Sequence, residues 1–150
     1  MLKRHDLLQE LGAQGIRLTA QRRALVETIQ GATSHLDATD LLNEARKLDP
    51  KIDRATVYRT IDLLKRLGLI DELDLMHVNG EKHYYEVRTQ KDHLHLACFR
   101  CGAIVEFSTP TLERLKQEIA AKNGFDIKVV RLEVGGICGS CAAKNQKRLQ

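Results

Sequence analysis

Asp53-Arg54-Ala55-Thr56-Val57-Tyr58-Arg59-Thr60-Ile61-Asp62-Leu63-Leu64-Lys65-Arg66-Leu67-Gly68 is the stretch on which the reading of the fold turns. Asp53 is a good N-cap, Val57, Ile61, Leu64 and Leu67 recur on one side at helical spacing, and Gly68 is placed to cap the C-terminus. With the apolar residues facing inward, Arg54, Thr56, Tyr58 and Arg59 are left outward near the N-terminal end. That is the end of a recognition helix that enters a DNA major groove. Arginine can grip guanine through two parallel hydrogen bonds, and Tyr and Thr can meet a thymine methyl or a phosphate; the alternative is a solvated, charged helix face.

Three shorter helices are expected upstream. Leu7, Leu8 and Leu11 form one stripe, interrupted by Gly12 and Gly15. Thr19 caps a second helix carrying Leu25, Val26 and Ile29, ended by Gly31. Asp37 caps a third, in which Leu41, Leu42, Ala45 and Leu48 recur until Asp49-Pro50 stops it. Arg17, Arg22 and Arg23, around the start of the second helix, are placed to clamp a phosphate backbone.

Downstream, the pattern becomes extended: Leu69 to Leu73, then Asn79-Gly80, then His83 to Val87. Asn-Gly between extended runs is a strong hairpin signal, and helices followed by a hairpin give a winged helix-turn-helix, although a ligand-free α+β domain fits the same pattern. The polar stretch Arg88 to Asp92 reads as a hinge. The expected organisation is therefore α+β, with a winged-helix domain over 1–87, a hinge over 88–92 and an α/β dimerisation and metal-binding domain over 93–150.

In that second part, strands are expected at Leu94 to Ala97 and Ala103 to Phe107. A helix follows, capped by Thr109 with Pro110 at its first position and ended at Gly124. A further strand should begin at Phe125, where Phe125, Ile127 and Val129 alternate and Val130, Leu132 and Val134 take the opposite phase, so that a bulge or burial on both faces is implied. A polar, basic tail should follow the last cysteine.

The 150 residues, 43% of them apolar, suffice for packed cores. The absence of a long apolar run or signal-like N-terminus makes the cytoplasm the expected location, with no membrane partner. Four cysteines there point to a metal rather than to disulfides. Net charge is +4, but residues 1–85 hold 13 Lys plus Arg against 13 Asp plus Glu, so a nucleic-acid partner must be argued from particular arginines and not from bulk charge.

The cysteines form two Cys-x-x-Cys pairs, Cys98/Cys101 and Cys138/Cys141, separated by 36 residues. Two such pairs can supply four thiolates to one tetrahedral Zn²⁺, a closed structural site that ties the start of a domain of about 60 residues to its end. The alternative, redox-active dithiols, lacks the strand-to-helix context such pairs occupy. His93-Leu94-His95 enters a strand, where i, i+2 spacing places both imidazoles on one face. Glu86 just upstream and His35 before the third helix add donors of a kind suited to Fe²⁺, Mn²⁺, Co²⁺, Ni²⁺ or Zn²⁺. His5, His77 and His83 read as solvated or wing-packing residues.

Three motifs in order, Ile16-Arg-Leu-Thr-Ala-Gln-Arg22, Ala55-Thr-Val-Tyr-Arg-Thr60 leading into Leu63-Leu-Lys-Arg-Leu-Gly-Leu-Ile70, and His93-x-His-x-x-Cys-x-x-Cys-Gly102, resemble the ferric uptake regulator family over nearly the whole chain. The resemblance implies a homodimeric repressor that binds a palindromic double-stranded operator when its regulatory metal is loaded. It implies structural zinc on Cys98, Cys101, Cys138 and Cys141, and a regulatory site on His35, Glu86, His93 and His95, with Glu106 as a further carboxylate. Arg17, Arg54, Thr56, Tyr58 and Arg59 would meet DNA. Relatives often build another site on a His-His-Asp-His run; here the run is Asp92-His93-Leu94-His95. Asp92 and Glu113 remain, but Leu94 and Val130 stand where an Asp and a His are expected, so that site is incomplete.

Peroxide sensors of the family typically carry Asp where Glu86 stands, and zinc sensors often recruit an additional cysteine, so iron is the first expectation. Sensors of peroxide, zinc, manganese or nickel are the alternatives within the family. Outside it, a zinc-stapled protein-interaction module is the rival. A metalloenzyme explains less, since the chain has no His-Glu-x-x-His and no His-x-Glu ahead of its Cys-x-x-Cys.

Overall fold

A computed structural model describes residues 4–146. The chain divides into two compact units, one of Met1–Asp74 with Lys82–Gln90, the other of Leu75–Glu81 with Lys91–Gln150.

The first unit runs α1 (Leu7–Ala13), α2 (Ala20–Gly31), β1 (Leu36–Asp37), α3 (Ala38–Ala45), α4 (Arg54–Arg66), β2 (Ile70–Leu73) and β3 (Tyr84–Val87). Each helix begins on a side-chain oxygen that accepts an otherwise orphaned backbone N–H: Asp6 from Gln9, Thr19 from Arg22, Asp37 from Asp40 and Asp53 from Thr56. At α3 the Asp40 carboxylate also reaches back to the Asp37 N–H, completing a capping box. Leu7, Leu11, Leu25, Val26, Ile29, Leu41, Val57, Ile61 and Leu64 interlock in one core, each buried side chain contributing roughly 1.5–3 kcal/mol. The strands form an antiparallel sheet in the order β1-β3-β2, with Ile70 opposite Val87 and Leu73 opposite Tyr84. This is the expected winged helix-turn-helix.

Two local expectations differ. The third helix stops at Ala45, and Leu48 is 60% exposed, because residues 46–48 close tighter turns, with Leu48 N–H donating to the Ala45 carbonyl. The hairpin connection is also longer than an Asn-Gly turn: ten residues separate Leu73 from Tyr84, although Gly80 does take positive φ. The Arg46 guanidinium and the Gln21 amide brace the turn before α4 by donating to the Ile52 and Lys51 carbonyls at 2.9 and 3.1 Å.

The second unit contains a left-handed turn (Leu75–His77), β4 (Leu94–Cys98), β5 (Ile104–Phe107), α5 (Pro110–Asn123), β6 (Glu133–Gly136) and α6 (Gly139–Gln146). Its sheet has the order β5-β4-β6, antiparallel between β4 and β5 and parallel between β4 and β6. Thr109 and Pro110 open α5 and left-handed Gly124 closes it, as read from the sequence. The strand expected from Phe125 begins only at Glu133. Phe125 and Val129 are 64% and 52% exposed, so among the described residues the alternation that suggested a strand is left unburied. The expected tail is helical as far as Gln146. Among the described residues no helix is long and apolar enough to cross a membrane.

Candidate functional site

The pairing of β4 with β6 assembles the four cysteines. Cys98 ends β4 opposite Gly136 on β6, so the turn after β4 and the turn after β6 emerge side by side. In the first turn the Gly102 N–H donates to the Cys98 carbonyl and the Cys98 N–H to the Ala103 carbonyl, both at 2.9 Å, which folds Cys101 back toward Cys98. Gly102 takes φ +71, and a Cβ there would lie 2.5 Å from the Asn79 amide oxygen, so two constraints require glycine. The two turns are locked together by Phe99 N–H donating to the Gly136 carbonyl at 2.8 Å and by the Arg100 guanidinium donating to the Cys141 carbonyl at 2.9 Å. Gly135 permits this, since a Cβ on it would be 2.3 Å from the Phe99 ring.

All four Sγ atoms lie within 4.8 Å of one another, and Cys101 and Cys138 are 3.8 Å apart. A tetrahedron with metal–sulfur bonds of about 2.3 Å has edges of about 3.8 Å, so the donor set fits one zinc-sized ion. The thiols titrate in opposite directions. Backbone N–H groups of Cys138, then of Cys101, pointing at its sulfur bring Cys98 down to about 6, whereas sharing a hydrogen with Cys138, with burial and the other thiols adding to it, pushes Cys141 up to about 12. Four thiolates this close repel one another, and a central dication removes that repulsion while drawing off the protons.

The nitrogen and oxygen donors form a group within each unit. In the first, His35 Nε2 lies 3.2 Å from Glu86 Oε2, with both side chains largely buried; β3 carries Glu86, and His35 directly precedes β1, β3's neighbour. In the second, the His93 and His95 rings meet edge-on at 4.7 Å, and His95, 3% exposed on β4, stands directly opposite Glu106 on β5. Asp92 and Glu113 are both bound to Lys116, at 2.5 and 3.2 Å. His83 donates to or accepts from neither group: it lies on the hairpin 2.8 Å from Asp74 and 3.3 Å from Glu72.

On α4, Val57, Thr60, Ile61 and Leu64 are buried, and Arg54, Tyr58 and Arg59 are exposed, with Thr56 half-buried. The Thr56 hydroxyl and N–H hold the Asp53 carboxyl below its usual range, so the cap is charged at the end of the helix that faces outward. The Arg59 guanidinium donates to the Thr56 hydroxyl at 3.3 Å. Arg17 is exposed ahead of α2, and its carbonyl accepts from Arg22 at 3.4 Å.

Glu133 was not singled out in the sequence, yet its carboxylate accepts from the backbone N–H groups of Leu75 and Met76. A charged residue between Leu132 and Val134 in an apolar run was the available signal.

A family model described as the ferric uptake regulator family matches residues 13–135. The chain belongs to that family. The members of the ferric uptake regulator family are metal-responsive transcription regulators and not enzymes, in keeping with the motif resemblance. Among curated relatives, a ferric uptake regulation protein of Synechococcus elongatus is 34% identical over 138 residues, covering 91% of this chain and 92% of that protein. A peroxide operon regulator of Bacillus subtilis is 31% identical over 139 residues, covering 93% of each. The crystal structure of the Vibrio cholerae ferric uptake regulator superposes with a TM-score of 0.69 at 32% identity, covering 89% of this chain and 100% of that one.

Proposed function

We propose that this chain is a cytoplasmic, homodimeric repressor that binds palindromic operator DNA when loaded with Fe²⁺ and so controls iron-uptake genes. The observation that carries the DNA half is α4, which seats one face in the core and leaves Arg54, Tyr58 and Arg59 outward beside a charged cap. Thr56 and Arg17 complete the contact set, the arginines reading guanine or meeting phosphate. Dimerisation is supported by an exposed apolar row across the second unit's sheet: Val105, Leu96 and Val134 are register neighbours on β5, β4 and β6. Paired recognition helices would match a two-fold symmetric site.

For the metal half, Zn²⁺ on Cys98, Cys101, Cys138 and Cys141 is structural, since a four-sulfur site leaves no position open. The regulatory ion takes its donors from His35, Glu86, His93 and His95, with Glu106 as a further carboxylate. Glu86, where peroxide sensors typically carry Asp, supports iron, and every cysteine is already in the zinc cluster. The likeness to a peroxide operon regulator favours a second reading, a peroxide sensor on the same scaffold.

The test is duplex binding to a family-type palindromic operator with and without Fe²⁺ or Mn²⁺, comparing the native protein with His93→Ala. Metal-dependent binding that the variant loses is the expected result. By linkage, operator DNA must then tighten metal binding by the same factor. Tight binding regardless of metal removes the sensor mechanism, and no binding with any metal returns the chain to a protein-interaction module.

A further inference from the structure

Glu133 stands on β6, whose register partner for it on β4 is His95. Its two carboxylate oxygens accept separately from consecutive backbone amides, Leu75 N–H at 3.1 Å and Met76 N–H at 3.0 Å. Those amides open a run of three residues, Leu75, Met76 and His77, with φ of 48°, 55° and 52°. None is glycine, and three successive side-chain-bearing residues in the left-handed region persist only where the surroundings hold them there. Strain of this kind concentrates at functional and switching segments.

The run also sits at a topological boundary. Residues Leu75–Glu81 group with the second unit, yet they form the tip of the β2–β3 hairpin, whose strands belong to the first. The tip of the wing is therefore structurally part of the unit that carries His93 and His95.

We propose that Glu133 is a positioning residue that couples the metal-binding strand to the DNA-binding wing. Its carboxylate clamps the left-handed tip onto the edge of the sheet beside His95. Ordering β4 around the regulatory metal then orders the tip, and through Asp74 and Lys82 the two arms of the hairpin. The inference rests on the reading of function above.

The test compares wild type with Glu133→Ala and with the isosteric Glu133→Gln, in which an amide donor replaces one of the two acceptors. Two readouts are taken on the zinc-loaded full chain: hydrogen exchange at residues 75–81, and operator affinity with and without Mn²⁺. Each hydrogen bond to a charged group is worth about tenfold or more in an equilibrium constant, so exchange at Leu75 and Met76 should quicken at least about tenfold. The ratio of Mn²⁺-loaded to Mn²⁺-free operator affinity should fall by a similar factor, with zinc content and Mn²⁺-free binding unchanged. If both affinities fall equally and the ratio stays, Glu133 is only structural and the proposal is overturned, as it is if exchange at the tip is unaltered. Should Glu133→Ala not fold, Glu133→Gln carries the test alone. Wild-type protein with no Mn²⁺-dependent binding overturns the reading of function, and this inference with it.

Discussion

Replacing Cys101 by serine should unfold the second unit while sparing the first. Cys101 is exposed, so Cys101→Ser removes a thiolate with almost no loss of packing. Within one chain the second unit has a small core: among the described residues its buried apolar side chains are Leu75, Leu94, Ala97 and Leu112, alongside Cys98 and Cys141 themselves. Among the described residues, the seventeen that form the hydrophobic core cluster all lie in the first unit. Closing the loop from Cys98 to Cys138 lowers the entropy of the unfolded chain by the equivalent of about 4 kcal/mol on a cross-link scale. Structural zinc binding as a whole is worth about 10–16 kcal/mol, against a typical domain stability of about 5–15 kcal/mol. Even the smaller figure corresponds to roughly a thousandfold faster amide exchange. Hydrogen exchange read by peptide, with zinc content measured in parallel, separates the units. Peptides from β4, β5 and β6 should lose protection in Cys101→Ser and after chelation, and those from α2 and α4 should keep it. If β4 and β6 stay protected to within tenfold in zinc-free protein, the staple argument is wrong.

Arg59→Ala should cost about 1–3 kcal/mol of operator affinity and relax preference at one base pair, whereas Arg17→Ala should weaken all duplexes alike and flatten the salt dependence by about one phosphate contact; fluorescence anisotropy across salt and operator variants separates the two. Asp37 supplies a pH signature. Burial acts to raise its pKa, but the Asp40 N–H and the Lys82 ammonium outweigh that and hold it below the ordinary 3.8. A folded pKa beneath the unfolded one adds stability that is complete above 3.8 and disappears as pH falls through the lower, folded value. Urea melts should therefore show Asp37→Asn less stable than wild type at pH 7 and the gap closing as pH falls below 3.8 and through the lower, folded value; a gap independent of pH would show that the carboxylate's charge is not what stabilises the cap.

Local chemistry is what made most of the first unit legible. Thr19, Asp37 and Asp53 begin helices where they stand because a short polar side chain can satisfy the orphan N–H two or three residues on, an interaction complete within one turn. The faces of α2 and α4 followed from spacing alone, since burial repeats with the helical period. The two Cys-x-x-Cys pairs announced a shared metal for the same reason, each turn being self-contained. Reading failed where a partner distant in sequence decides. The run from Phe125 alternates like a strand, but a strand forms only from Glu133, where β4 offers a free edge in register. Leu48 looked like core, but the turns after Ala45 rotate it outward.

The sequence by itself determined α1 to α5, the caps Thr19, Asp37, Asp53 and Thr109, the thiolate set and the family, because each rests on residues close in the chain or on ordered motifs. Only the tertiary structure decided that His35 meets Glu86, that His95 stands opposite Glu106, and that Glu133 grips the tip of the wing. Those pairings join residues 11 to 58 positions apart, and strand order and register, which set them, are properties of the folded sheet that no local pattern encodes.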